Sequence, residues 1–348
     1  MQQLIPNARK NKKLKVVTLG GGTGSYTLLS GLKNYSVEIN AIVGMADDGG
    51  STGRLRDELG VLPPGDVRQC LVALSGASRE LRELMQYRFR AGDLKGHTFG
   101  NIFLSALEKT YGSMSNGLEE AQRILDVKGK VVPVTEGNMR IVATLANGET
   151  IHGEDALDCN ETLRRKGVCL QELRLAQKVR ATKAALSAVR EADVLVIGPG
   201  DHFSNIVPSL LVGGFARAIQ QSNTCVLYVA NLTNKKGLTA GWKTADYVRD
   251  IERYVGRSRV NIVLYNTTPI PPHLVRRYEK QEGNGSVVQL GNVSKSCRVV
   301  TGDLLYNGAM KKASGDAIAH TRSFIRHDSE KLARVVMQCV DSKDGSVS

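Results

Sequence analysis

Two glycine-rich segments of this sequence have the composition of phosphate-binding turns. The first, Gly20 to Gly24, follows the apolar run Leu14–Leu19 and precedes leucines at helical spacing. Residues without a Cβ let backbone N–H groups approach a phosphate closely, and the start of a helix adds the positive end of its dipole. The second, Gly198-Pro199-Gly200, ends the run Asp193–Ile197 in the same way. We predict that both turns bind an anion and that Asn231, after the next strand, lies beside them.

A second group of residues combines carboxylates, glycines, hydroxyls and arginines in the run Ala46-Asp47-Asp48-Gly49-Gly50-Ser51-Thr52-Gly53-Arg54. The adjacent carboxylates of Asp47 and Asp48 can hold a hydrated Mg²⁺, a ribose or a sugar hydroxyl. Arg54 and Arg56 can each bind a diphosphate through two hydrogen bonds. The alternative is structural, with the aspartates capping a turn and Arg54 forming surface ion pairs.

Three shorter signals have both a functional and a structural interpretation. In Pro63-Pro64-Gly65-Asp66, a rigid turn precedes Asp66, which is predicted to cap a helix. His97 and Asn101 are four residues apart, so they can share one helix face toward a substrate or toward the core. Arg326 precedes the final helix, which Asp328 is predicted to cap, and it reaches either an anion or solvent.

The elements that must position these residues alternate as in a doubly wound α/β fold. We predict a Rossmann-like, mostly parallel sheet with a helical insertion and a small β meander. Its predicted parts are a basic flexible tail over 1–13, a single nucleotide-binding domain over 14–341 and a flexible tail over 342–348, with a helical block at about 66–126 and a β insertion at about 130–175.

The same patterns predict particular elements. The meander is assigned to Val131–Val134, Arg140–Leu145 and Thr150–His152. Ile206–Gln220 is predicted to be one helix, and Val287–Leu290 is predicted to be an edge strand.

Composition excludes several classes of protein. The 348 residues carry 47 Lys and Arg against 34 Asp and Glu, a net charge of +13 at pH 7, which favours an anionic ligand without requiring DNA. Aromatic residues make up 5%, too few for the stacking platforms that bind single-stranded nucleic acid. No apolar run approaches the about 18–20 residues that cross a bilayer, and the six cysteines form no CxxC pair. We therefore expect a cytoplasmic protein with reduced thiols, no membrane span and no nucleic-acid partner.

Taken together, the motifs resemble those of the YvcK-like proteins, also called gluconeogenesis factors, within the wider CofD-like group that includes 2-phospho-L-lactate transferase. The resemblance covers residues 14–340. It rests on Gly20 to Gly24, the Asp-Asp-Gly-Gly run from Asp47, Pro63 to Arg68, Gly96-His97 with Gly100-Asn101, Ile197 to Gly200, and Arg326 to Asp328. It implies a Rossmann-like fold, UDP-sugar binding, and effects on carbon metabolism and cell shape. The transferase branch implies phospholactate transfer from a guanosine diphosphate-type donor with Mg²⁺.

The chain departs from the family pattern at two loops. It reads Gly200-Asp201-His202-Phe203-Ser204-Asn205 where the family usually has Gly-Ser-Leu-Tyr-Thr-Ser, and Leu232 to Leu238 replaces a segment that normally contains an acid. Since Lys235 and Lys236 lie in the second loop, we predict a more anionic ligand there.

Residues and resemblance together predict a small anionic partner, a nucleotide-diphosphate sugar, bound by a regulatory protein that is itself a candidate homo-oligomer. The predicted ligand-binding residues are Gly20, Gly21, Gly22, Thr23, Gly24, Asp48, Gly49, Gly50, Ser51, Arg54, Asp66, His97, Asn101, Gly198, Pro199, Gly200, Asn231 and Arg326.

The alternative is a transferase that moves a phospho-group from a nucleotide-diphosphate donor with Mg²⁺. Its catalytic residues would be Asp47, Asp48, Arg54 and Arg68. A nicotinamide oxidoreductase is disfavoured because the dinucleotide fingerprint is incomplete and no Tyr-x-x-x-Lys signature is present.

Overall fold

The main sheet contains seven strands in the computed structural model, which describes residues 13–308 and 324–341. Apart from Lys13, the two predicted tails lie outside these residues. The strands are β1 Lys15–Gly20, β2 Glu38–Val43, β3 Lys130–Pro133, β7 Val194–Ile197, β8 Cys225–Val229, β9 Ile262–Asn266 and β10 Arg298–Gly302, and a separate small sheet contains β4 Ile141–Leu145, β5 Thr150–His152 and β6 Leu170–Leu175.

All neighbouring strands of the main sheet pair in parallel, in the order β10-β9-β8-β7-β1-β2-β3. Every residue of β7 and β8 is buried, as expected for strands covered on both faces. The strand order reverses between β1 and β7, where connections leave in opposite directions. The carboxyl ends of these two strands therefore open onto the crevice in which α/β sheets bind ligands.

Fourteen α-helices flank the sheets in the described part of the chain. They are α1 Gly22–Leu32, α2 Gly50–Leu59, α3 Pro64–Leu74, α4 Arg79–Gln86, α5 Phe99–Tyr111, α6 Met114–Ile124, α7 Glu154–Cys159, α8 Glu161–Lys166, α9 Lys183–Glu191, α10 Val207–Leu210, α11 Phe215–Gln221, α12 Thr244–Val255, α13 Pro272–Glu282 and α14 Ser329–Asp341. α1 packs against α3 and α14, whereas α11 packs against α9 and α12. The predicted α/β fold with a helical block is confirmed.

The predicted β meander is only partly correct. β3 pairs in parallel with β2 and completes the main sheet, so it does not belong to the insertion. Its residues Val131 and Val132 are both buried although they point to opposite faces, which is typical of a parallel strand. The inserted sheet is instead β5-β4-β6, and α7 and α8 connect β5 to β6.

Three further predictions of local structure are wrong. The helix predicted over Ile206–Gln220 is a π-helical turn, α10 and α11, interrupted at Gly214 with a φ of +88°. Val287–Leu290 forms one bridge to Thr233 instead of a strand. Asp66 lies inside the first turn of α3, which begins at Pro64, so it is not the N-cap. Asp328 does cap α14, since its carboxylate accepts from the amides of Glu330 and Lys331.

Candidate functional site

A cavity of about 850 Å³ lies at the carboxyl edge of the main sheet, within the about 300–1,000 Å³ typical of small-molecule sites. Loops after β1, β7 and β8, helices α7, α8 and α13, and the segment before α14 form its walls. The predicted residues in its lining are Thr23, Gly24, Pro199, Gly200, Asn231 and Arg326. The structure therefore brings together residues from four distant parts of the sequence.

The two glycine-rich loops are in direct contact at the edge of this cavity. A Cβ built on Gly24 would lie 2.0 Å from the carbonyl oxygen of Pro199, so only glycine permits this approach. Asn231 fixes the second loop, because its side-chain amide donates to the carbonyl of Gly200 at 3.0 Å while its Oδ1 accepts from Tyr228 at 3.2 Å. Asn231 therefore stabilises the second glycine-rich loop and also lines the cavity.

Position 21 requires glycine because other protein groups lie very close to the first glycine-rich loop there. A Cβ on Gly21 would lie 2.0 Å from Asn205 Oδ1 and 2.1 Å from Asp66 Oδ2. The predicted ligand residue Asp66 therefore approaches the start of α1, and it does not line the cavity described above. Its carboxylate is favourably placed near the positive end of the α1 dipole.

The charged part of the cavity centres on Lys235. Its ammonium contacts Asp158 of α7 and lies 3.0 Å from Asp201, which follows β7. Burial opposes the charge, but the two carboxylates outweigh it and raise the pKa of Lys235. Two acids from other segments therefore compensate Lys235, and a more anionic ligand at this loop stays a prediction.

Asp158 and Asp201 respond differently to this shared environment. Burial and the charge of Asp201 raise the pKa of Asp158 to about 6, although Lys235 acts in the opposite direction. For Asp201, burial favours the neutral form, yet Lys235 and the backbone of Ser204 hold its pKa below the usual value. The triad therefore holds its negative charge mainly on Asp201 as the pH falls.

Asp48 anchors α7 and does not line the cavity. Its Oδ1 accepts from the backbone amides of Glu154 and Asp155 at 3.0 and 2.9 Å, which are orphan donors of the first turn. Asp47 accepts from the amide of Gly49 at 3.1 Å, and burial raises its pKa. The Asp-Asp-Gly-Gly segment, which follows β2, thus holds the inserted segment through hydrogen bonds from α7 to Asp48.

Ser51, His97 and Asn101 form a buried network with Arg68. Ser51 Oγ lies 3.0 Å from His97 Nδ1 and accepts from Asn101 at 3.2 Å, and Arg68 Nε donates to Asn101 at 2.8 Å. Burial, together with the charge of Arg54, lowers the pKa of His97. His97 precedes the N-cap Thr98 of α5, whereas Asn101 lies in the first turn, so the two do not share a helix face, although both contact Ser51. Their contact with a ligand stays a prediction.

Arg54 and Arg56, at the end of the Asp-Asp-Gly-Gly segment, contact other protein groups outside the cavity. Arg54 donates to the carbonyl of Lys95 at 2.8 Å. Arg56 donates to the carbonyls of Asp47 and Met139 and to the side chain of Asn138, which fixes the end of β2 against the residues before β4. Neither arginine lines the cavity, so their role as diphosphate ligands finds no support in this geometry.

Sequence reasoning missed two histidines in the cavity lining. His202 Nε2 lies 2.7 Å from Asp250 Oδ2, and neither His202 Nδ1 nor His327 Nε2 finds a hydrogen-bond partner among the described residues. Burial lowers the pKa of His327 to about 4, so its ring is neutral at pH 7. In the sequence, the departure from the family pattern at His202 and the motif Arg326 to Asp328 signalled this region, but neither histidine was predicted to be a ligand residue.

Asp47 and Asp48 are the predicted ligands of a Mg²⁺ ion. Across residues 13–308 and 324–341, no cluster of three or more His, Cys, Asp or Glu side chains is arranged to hold a metal ion. Asp48 Oδ1 is engaged with α7 and its Oδ2 lies 3.9 Å from Arg140, and Mg²⁺ binding by the Asp47–Asp48 pair stays a prediction. All six cysteines are free thiols, as predicted. Within the described ranges, no helix has the length and apolarity to span a membrane.

We expect Asp48→Ala to loosen α7. The change removes the acceptor of two amides, and loss of such a cap costs about 1 kcal/mol. Hydrogen exchange of residues 153–160 should therefore accelerate about fivefold or more. Asp48→Asn keeps an acceptor oxygen and should exchange nearly as the wild type does. Asp57→Ala, which removes an exposed partner of Arg140, is the matched control. Unchanged exchange of α7 in Asp48→Ala would contradict the anchoring role.

Comparisons with known proteins agree on one group. The family model described as 2-phospho-L-lactate transferase CofD matches residues 16–305. A relative from Thermotoga maritima is 39% identical over 324 residues, covering 93% of this chain and 98% of the relative. The gluconeogenesis factor of Halalkalibacterium halodurans is 36% identical over 310 residues, covering 86% of this chain and 94% of that protein. A crystal structure of a UPF0052 family member from Bacillus halodurans has a TM-score of 0.82 and 32% identity, covering 94% of this chain and 99% of that one.

Proposed function

This chain belongs to the CofD-like family of gluconeogenesis factors, and on that premise we propose that it binds a nucleotide-diphosphate sugar. The observation that carries the proposal is the cavity between two touching glycine-rich loops at the point where the strand order reverses. The regulatory role that we propose with it concerns carbon metabolism and cell-envelope and cell-shape homeostasis, in the cytoplasm.

The lining of the cavity matches the parts of such a ligand. Thr23 and Gly24 lie in the first turn of α1, where backbone dipoles favour a phosphate, and Arg326 supplies a cation that can bind it. In the same lining, Asp155 and Glu282 carry carboxylate oxygens that can accept hydrogen bonds from hydroxyl groups. A ligand that carries both a diphosphate and a polyol is complementary to this lining.

Calorimetric titration tests this proposal directly. We expect heat on addition of UDP-N-acetylglucosamine or UDP-glucose, and much weaker binding of uridine monophosphate, which lacks both the second phosphate and the sugar. The absence of heat for both nucleotide sugars at high protein concentration would overturn the proposal.

The second candidate is a transferase acting on a nucleotide-diphosphate donor. The specific observation in its favour is the match of residues 16–305 to the transferase model. Arg326 and Lys235, which line the cavity, would then stabilise developing diphosphate charge, in place of the predicted Arg54 and Arg68. Binding of Mg²⁺ by Asp47 and Asp48 stays a prediction, and we derive no step through Mg²⁺.

Phosphorus NMR distinguishes the two candidates. If the protein only binds, the diphosphate resonances of the donor should broaden or shift and keep their total intensity, with or without Mg²⁺. Loss of donor signal with growth of a new phosphorus resonance would establish turnover and favour the transferase.

A further inference from the structure

Lys235 joins two separate walls of the cavity through its carboxylate partners. Asp201 comes from the loop after β7, and Asp158 comes from α7 in the inserted segment. Both Lys235 and Asp158 are about one quarter exposed, at 27% and 26% of their side-chain areas, so solvent and a ligand can reach them. All three residues line the cavity.

The inserted helices α7 and α8 are fastened across this cavity by polar contacts. Asp48 holds the start of α7, and Ser204 donates to Asp158 at 3.2 Å. At the other end, Arg164 of α8 lies 3.2 Å from Glu282 of α13. Lys235 and Arg164, two cations of the lining, are thus both occupied by carboxylates of the protein. A carboxylate oxygen in such a contact occupies the place that a phosphate oxygen takes in a complex.

The charges around Asp158 restrict how an anion can enter. Asp158 faces the carboxylates of Asp201 and Glu154, the ammonium of Lys235, the Ser204 hydroxyl and the Cys159 thiol. A phosphate added at Lys235 would bring further negative charge to one ammonium. When a partly buried carboxylate loses its cationic partner and a negative charge is added nearby, the protonated form of that carboxylate is favoured.

We propose, as an extension of the function proposed above, that Lys235 binds a ligand phosphate in addition to Arg326 and that this phosphate replaces Asp158 on Lys235. Asp158 then takes up one proton from solvent and remains neutral beside Asp201. The exchange releases the inserted segment from Lys235, so that α7 and α8 adjust around the sugar. No covalent bond changes, and the single proton balances part of the charge that the ligand brings.

Asp158 is placed to titrate in the relevant range. Burial and Asp201 raise its pKa to about 6 in the ligand-free protein, where the ammonium of Lys235 still favours the ionised form. Loss of Lys235 raises that pKa further. Binding is then coupled to proton uptake between the free and the bound pKa, so affinity increases as the pH falls through this window and levels off below about 6.

Titration with UDP-N-acetylglucosamine in two buffers of different ionisation enthalpy tests the proposal. This probe carries no group that titrates between about pH 6 and 8, so any proton comes from the protein. We expect uptake approaching one proton per ligand near pH 7, and an affinity that falls by up to about tenfold per pH unit above it. Asp158→Asn should bind more tightly than the wild type at pH 8 and should lose the buffer dependence.

Two variants separate the exchange at Lys235 from a general effect of surface charge. Glu172→Gln removes an exposed carboxylate on β6, and it should retain the proton uptake of the wild type. Lys235→Met should weaken binding at least about tenfold. Wild-type binding without proton uptake, or an unchanged buffer dependence in Asp158→Asn, would overturn this inference and leave nucleotide-sugar binding intact. Absence of binding in the wild type would overturn both.

Discussion

Replacing Gly24 by alanine is expected to abolish nucleotide-sugar binding and to lower the free energy of unfolding by about 1–3 kcal/mol. The new methyl group would lie 2.0 Å from the carbonyl oxygen and 2.6 Å from the carbonyl carbon of Pro199. Both atoms belong to the backbone, so they cannot rotate away as a side chain can. The two glycine-rich loops would have to separate, and the cavity edge that they form would open.

Gly200→Ala is the matched control for this experiment. Gly200 lies in the partner loop, its φ is not positive, and the nearest atom to an added Cβ is the Gly21 oxygen at 4.0 Å. We expect urea unfolding of Gly200→Ala to resemble that of the wild type, whereas Gly24→Ala unfolds at lower urea. Equal stability and equal ligand affinity for Gly24→Ala and the wild type would contradict the close contact between the loops.

Arg326→Ala is expected to weaken nucleotide-sugar binding by about 10- to 150-fold, because a hydrogen bond between charged groups contributes about 1.5–3 kcal/mol. Arg326 lies in the cavity lining immediately before α14. Its backbone carbonyl accepts from the amide of Tyr306 at 3.0 Å, and this contact survives the substitution. We expect the loss in calorimetric affinity, and the melting temperature reports separately what the side chain contributes to the fold.

Arg334→Ala controls for the loss of one positive charge in this region. Arg334 is exposed on α14 and lies outside the cavity lining, so its removal should change the affinity less than twofold at moderate salt. A similar loss of affinity in both variants would mean that net charge attracts the ligand without direct contact from Arg326. Early melting of Arg326→Ala would mean that its side chain supports the fold.

The sequence was sufficient to predict the arrangement of loops at the sheet edge. Gly20 to Gly24 and Gly198 to Gly200 each end a buried strand, and parallel strands present their carboxyl ends at one edge. Placing Thr23, Gly200 and Asn231 in one cavity follows from local pattern and topology alone. The helical block was similarly predictable because its helices have clear periodicity and caps, such as Thr98 of α5.

The partners of the polar residues were not predictable in this way. Asp48 has the composition of a ligand residue, yet it caps a helix more than one hundred positions later in the chain. The segment Leu232 to Leu238 contains no acid, so nothing in it indicated that the fold places Asp158 and Asp201 beside Lys235. These contacts depend on how the insertion packs on the sheet, and no periodicity within the insertion reports that packing. β3 was misassigned for a related reason, since a short apolar strand fits either sheet.

The two sides of the cavity belong to different parts of the fold, the main sheet and the inserted segment. The glycine-rich loops end core strands, and substitutions there disturb the main sheet itself. The wall formed by α7 and α8 lies in a connection between two strands of the small sheet. Substitutions in α7 and α8 can therefore change the shape and charge of that wall, and with them the choice of ligand, while the main sheet keeps its structure.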